Sequence, residues 1–168
     1  MLGKNRVKLV SVGARKTEYG KALFELTFER SSAMYGGKKI DFAPMSFMFV
    51  YPDDRLVAFF ALFGETLLFV SLPTKDALNS LYTRLKSYIG KELDVWISQK
   101  KILSRDKYGR PQVDDNPVLK TIEPIIVTLS DIQFGGVFDW GKAIIPLSEE
   151  DQKDLEIINE SLKNGSTK

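Results

Sequence analysis

The sequence predicts a mostly β fold with one inserted helix and one C-terminal helix. Three observations predict it. Residues 21–30 and 92–103 alternate apolar and polar side chains with the period of a half-buried strand. Several further apolar runs of strand length are bounded by Gly, Pro and Asp turns. Only two stretches, 75–89 and the residues after Pro146, carry an apolar stripe at helical spacing.

Taken in order, residues 6–13 read as a first strand. Residues 21–30 read as a second, with Phe24, Leu26 and Phe28 on one face and Glu25, Thr27 and Glu29 on the other. The short link 14–20 contains Gly20 and predicts a hairpin. Residues 31–41, with Gly36-Gly37, read as a loop. Runs 45–51, 56–63 and 66–72 each have the length of a buried strand, although 56–63 shows no period and is also compatible with a short helix. Gly64 fits the positive φ of a tight II′ hairpin turn between the last two runs. The helix 75–89 is capped by Thr74, striped by Leu78, Leu81, Tyr82, Leu85 and Ile89, and stopped by Gly90. Leu93, Val95 and Ile97 then share a strand face opposite Asp94, Trp96 and Ser98. A polar turn runs from Ser104 to Pro111, and 119–134 reads as a last long strand. Ser148, with Asp151 three residues on, gives the terminal helix a capping-box-like start. The sequence divides into a β domain over 1–147 and an acidic helix and tail over 148–168. It shows no internal repeat.

Composition excludes much chemistry. The chain of 168 residues is 43% hydrophobic and 27% charged, which is ordinary for a globular domain. It has no Cys and no His. Disulfides, thiolate metal sites, a Cys nucleophile, the Ser-His-Asp triad and the usual zinc ligand sets are therefore absent. No phosphate-cradling glycine motif occurs. The pairs Asp53-Asp54 and Asp114-Asp115 sit in turn-like contexts, where Asp is common, so they are weak grounds for a Mg²⁺ site. The sequence predicts no catalytic residue, no metal and no cofactor. The N-terminus has no apolar h-region, and the longest clean apolar run is too short to span a bilayer. The expectation is a soluble cytoplasmic protein, not an enzyme.

Net charge is only +2, but it is unevenly spread. Residues 1–30 and 98–110 are strongly basic, and the C-terminal third is acidic.

The order of elements carries a resemblance. VKLVSVG…KALFELTF, then the helix TKDALNSLYTRLKSYIGK, then ELDVWISQKK…YGR…TIEPIIVTLSDIQF, over roughly 6–134, resembles the OB-fold single-stranded nucleic-acid-binding proteins. The likeness is one of topology, a five-stranded β-barrel with a helix between the third and fourth strands. Two departures stand out. Three strand-like runs, not one, lie between the second strand and the helix, so either an extra hairpin is inserted there or the fold is another β-sandwich or barrel. The acidic end lacks the terminal phenylalanine typical of bacterial single-strand-binding proteins.

The resemblance implies that oligonucleotides lie across strands 2–3 and between the loops joining strands 1–2 and 4–5. The first holds Arg15, Lys16 and Lys21 around Tyr19. The second holds Lys100, Lys101, Arg105, Lys107 and Arg110 around Tyr108. Cations attract the phosphate chain, and a ring gives a base a face to stack on. Exposed turns contain these residue types anyway, so the bland reading stands beside the functional one. Tyr35, next to Gly36-Gly37 and Lys38-Lys39, is a third exposed candidate. Two readings fit Trp96: stacking on a base, or packing under a neighbouring segment. The expected function is single-stranded nucleic-acid binding, with DNA favoured, in replication or repair. The alternative is a non-enzymatic structural β-barrel that forms homo-oligomers through the apolar region 42–72.

Overall fold

A computed structural model of the chain describes residues 2–30, 33–118 and 121–165. The fold is mostly β with three helices. Its large sheet has the order β10-β6-β1-β2-β5, with β9 also paired to β6. These strands are β1 (Gly3–Lys16), β2 (Ala22–Arg30), β5 (Met45–Val50), β6 (Glu92–Leu103), β9 (Ile126–Phe134) and β10 (Ile144–Ile145). Two small hairpins stand apart, β3 (Ala33–Tyr35) with β4 (Lys38–Ile40), and β7 (Val113–Asn116) with β8 (Thr121–Pro124). The large sheet is not closed into a barrel, because β5 and β9 are edge strands that do not pair with each other among the described residues.

The chain divides into two compact units. Residues 1–97 and 132–138 form the first, and residues 98–131 and 139–168 the second. Strands β6 and β9 each run from one unit into the other.

The first unit is built on the alternation visible in the sequence. β1 pairs antiparallel with β2 and with the start of β6, and β2 pairs with β5. Val7 and Leu9 point inward, and so does Val12. A register shift between Leu9 and Ser11 supplies the extra residue that switches the inward parity. Phe24, Leu26, Phe28, Phe47, Phe49, Val95 and Ile97 complete the sheet's inner face.

The run 56–63, compatible in the sequence with strand or helix, is a helix, α1 (Asp54–Leu62), and two neighbouring expectations are corrected. Asp53 caps it by accepting from the Arg55 N–H at 2.9 Å, and the buried residues Leu56, Phe59 and Phe60 lie at i, i+3 and i+4. A helical face was hidden because nearly every position in the run is apolar. Gly64 (φ 73°) therefore ends a helix instead of turning a hairpin, with its N–H on the Ala61 carbonyl and the Glu65 N–H on that of Phe60. The run 66–72 is neither a helix nor paired to a strand among the described residues. Leu67 is buried, whereas Leu68 and Leu72 are exposed. One strand of the large sheet, not three, thus lies between β2 and the helices.

The predicted second helix is α2 (Lys75–Lys86), whose Thr74 cap accepts from the Ala77 N–H at 3.1 Å. Its Leu81 and Leu85 are buried in the core. Phe59 lies at the centre of an aromatic cluster, 5.3 Å from Phe134 and 5.6 Å from Tyr88 between ring centroids. Phe134 in turn lies 6.0 Å from both Phe28 and Phe49. Each ring of this size buried in a core stabilises by roughly 1.5–3 kcal/mol. Phe47, Phe49, Phe59 and Phe60 are buried this way, and the other four aromatic residues of 42–72 are partly buried.

The second unit is smaller in core. Leu103 and Ala143 are its buried apolar residues among those described. β10 pairs in parallel with β6 through Ile144 and Gln99. The expected single strand 119–134 is interrupted: β8 ends at Pro124, and Ile125 turns its N–H to Gln112 before β9 begins. Proline has no N–H to give a ladder, which accounts for the break. Residues 119 and 120 lie outside the described residues. The terminal helix α3 (Glu149–Gly165) starts at Ser148, whose hydroxyl accepts from the Asp151 N–H at 3.1 Å. No helix among the described residues is long and apolar enough to cross a membrane.

Candidate nucleic-acid interface

Each unit has an exposed tyrosine, Tyr19 in the first and Tyr108 in the second, and the same local turn presents each of them. In the β1–β2 hairpin, the Thr17 N–H donates to the Lys21 carbonyl at 2.8 Å and the Gly20 N–H to the Thr17 carbonyl at 2.9 Å. The Thr17 hydroxyl accepts from the Lys21 N–H at 3.1 Å. In the loop after β6, the Asp106 N–H donates to the Arg110 carbonyl at 2.8 Å and the Gly109 N–H to the Asp106 carbonyl at 3.0 Å. The Asp106 carboxylate accepts from the Arg110 N–H at 3.0 Å. Gly20 and Gly109 both sit in the left-handed region, at φ 76° and 78°.

The shared sequence is Thr/Asp, any residue, Tyr, Gly, Lys/Arg. It occurs at 17–21 and again at 106–110. The sequence reading found no internal repeat and missed this one. Five residues are too few to stand out as a repeat, but the chemistry is specific. The first side chain must accept, the fourth residue must tolerate positive φ, and the third is then lifted off the surface. Tyr19 is 89% exposed and Tyr108 70% exposed.

Around Tyr19 the structure gathers Arg15, Lys16 and Lys21, all exposed. The Arg15 guanidinium reaches the Met48 sulfur at 3.6 Å. Around Tyr108 it gathers Lys107, with Nζ 5.0 Å from the ring centroid, and Arg110, with Cζ at 5.2 Å. Arg110 also pairs with Asp106 at 3.2 Å. Lys100 and Lys101 are exposed near the end of β6.

Arg105 is placed differently. One of its nitrogens, Nη2, lies 2.7 Å from both Asp151 and Asp154 of α3, and Nη1 donates to the Gly109 carbonyl at 3.0 Å. The Leu103 N–H also donates to Asp151, at 3.1 Å. The guanidinium and that N–H hold the Asp151 carboxyl below its ordinary value, and the two carboxylates raise the pKa of Arg105. Arg105 is thus a clasp between the Tyr108 loop and α3. Asp151, expected to complete a capping box, serves this clasp instead.

Trp96 is half-buried and stacks on Phe138 with centroids 5.0 Å apart and planes 7° from parallel, as the packing reading required. Tyr35 pairs with Lys38 through the backbone, and its side chain lies outside the described residues. No family model and no curated protein matches the chain.

The outer face of β2 and β5 is a poor platform for bases. It carries Glu25, Glu29, and a Thr27–Ser46 hydroxyl pair at 2.8 Å. On the neighbouring face of β1, Lys4 and Arg6 are matched by Glu92 and Asp94 on β6. The aspartate pairs have other surroundings. Asp53 caps α1 and binds Arg55 at 2.8 Å, and Asp114 and Asp115 lie on β7 opposite Glu123 and Ile122. Among the described residues no group of three or more acids is arranged to hold a metal ion.

Proposed function

We propose that this protein binds single-stranded nucleic acid without acting on it chemically. Tyr19 and Tyr108 stack on bases. Arg15, Lys16, Lys21, Lys107 and Arg110 meet phosphates, and Lys100 and Lys101 extend the cationic surface. Arg105 acts through the loop it fastens. The observation that carries the reading is the twice-built turn, which holds an aromatic ring in solvent beside a cation. Both rings stand 70–89% exposed, and a base stacked on such a ring is worth about 1–3 kcal/mol.

The strand order supports the same reading. We read the strands β1, β2, β5, β6 and β9, with helices before β6, as an OB-fold-like order in a sheet that is not closed between β5 and β9. In that order the two tyrosine turns fall in the connections 1–2 and 4–5, where OB-folds take oligonucleotides. The glutamates on β2 shift the contact from the sheet face to the turns.

Fluorescence anisotropy with labelled oligo-dT across a salt series tests this. Binding is expected at low salt and falls linearly on a log–log plot, with a slope of about −0.7 per phosphate contacted. Absence of binding at low salt ends the proposal. Affinity insensitive to salt removes its electrostatic half.

A further inference from the structure

A groove at the base of the β1–β2 hairpin shares Arg15, Lys16 and Lys21 with the proposed phosphate contacts, but its apolar walls and Lys75 have no role there. Two cavities make it, of about 210 Å³ and 480 Å³, and they share Ala22 and Leu78 as common walls. The smaller has Arg15, Lys16 and Lys75 on its lining, with Leu78 and Tyr82 as apolar walls. The larger is lined by Lys21 and by Tyr51, Pro52, Leu72 and Pro73. Four cations therefore line the pair, and no carboxylate lines either cavity. Elsewhere in the same unit, Lys4, Arg6, Arg55 and Arg84 are each paired with an acid.

The walls are held in place from behind. The Tyr51 hydroxyl accepts from the Val70 N–H at 2.9 Å, and its ring meets Phe69 edge-on at 4.9 Å. Tyr82 reaches the Val12 carbonyl at 3.4 Å. Leu72, by contrast, is 89% exposed on the rim, an apolar side chain left in water beside an apolar cavity. The larger cavity lies within the roughly 300–1,000 Å³ of small-ligand sites, and the smaller lies below it. A flat apolar ring suits the first, and an anion suits the cationic rim of the second.

We infer that this groove binds a nucleoside phosphate, with the nucleobase against Tyr51, Leu72 and Leu78 and the phosphate at Arg15, Lys16 and Lys75. The source is either one nucleotide of the strand that reaches Tyr19 or a free nucleotide. The strand version rests on the proposed function. The site itself does not.

Lys75 and Leu72 allow a test without disturbing the fold, because both are exposed and neither belongs to a tyrosine turn. Backbone amide shifts of the full-length protein are followed while thymidine 5′-monophosphate, thymidine, inorganic phosphate or oligo-dT is added. The inference expects the monophosphate to shift Ala22, Leu72, Leu78 and Asn79 more strongly than thymidine or phosphate alone. Lys75→Glu and Leu72→Asp are each expected to weaken that response on the order of tenfold at low salt. Equal responses to phosphate and to the monophosphate overturn the nucleobase half of the inference. Absence of shifts in the groove with both the monophosphate and oligo-dT overturns it entirely, as does an unchanged response in both variants. If the monophosphate binds there and oligo-dT does not bind the protein, the groove stands as a free-nucleotide site and the single-strand reading falls. If oligo-dT binds and neither it nor the monophosphate shifts the groove, the single-strand reading stands and the groove falls.

Discussion

The turns at 17–21 and 106–110 share a backbone and differ in how their charge is used. At the first, a neutral hydroxyl closes the turn, so the side chain that closes it carries no charge, and Glu18 is the turn's one acid. At the second, the Asp106 carboxylate closes the turn and also binds the Arg110 guanidinium, and the nearby Arg105 is bound to two acids of α3. The first is the end of two long paired strands of the first unit, above an aromatic core. The second is fastened by ion pairs in a unit with little buried apolar surface. Counting basic residues overstates the charge of the second turn. What a polyanion meets is the charge left after internal pairing, which favours the first.

The largest effect separates the two supports. Phe134→Ala removes a ring packed on Phe28, Phe49 and Phe59 and is expected to cost the first unit about 3–5 kcal/mol, read from denaturant unfolding. A cost below 1 kcal/mol would show that the aromatic core is not what holds the hairpin. Next in size, Tyr19→Ala and Tyr108→Ala should each weaken oligo-dT binding by about 1–3 kcal/mol with unfolding unchanged. Smaller and sharper is an exchange of the residues that close the turns. Thr17→Asp and Asp106→Thr both keep a side-chain acceptor. The first should weaken binding and the second strengthen it, each moving the salt slope by about 0.7 in opposite directions. Changes of the same sign at both sites would break the comparison.

The smallest effect is on pH. The Asp151 carboxyl is held below its ordinary value of 3.8 by Arg105, so its contribution to the clasp is complete above that value and is lost as pH falls below it. In the first unit, burial and the Glu65 carboxylate push the Tyr88 phenol up to about 12. Tyr88 favours the folded state below its ordinary value of 10, and that contribution is lost as pH rises from there towards 12. Amide hydrogen exchange should show Leu103 losing protection in acid and the residues around Tyr88 losing it in alkali. The reverse order would contradict the division.

Strands whose faces alternate were legible in the sequence, and so was α2, whose stripe, cap and stop signal agree. α1 was not, since a run such as LVAFFALF has no polar residues to mark a face. The two Tyr-centred basic turns were legible as composition. Their identity as one turn used twice was not, because it depends on which backbone groups each first side chain satisfies. The role of Arg105 was hidden too, since its partners lie more than 40 residues away on a helix read only as acidic.

The most direct test of the central claim is photo-crosslinking of the full-length protein to single-stranded DNA carrying 5-iodouracil, with the modified peptides mapped by mass spectrometry. Adducts at Tyr19 and Tyr108, competed by unlabelled oligo-dT, are the predicted result. Adducts confined to other residues, with neither tyrosine modified, would contradict it.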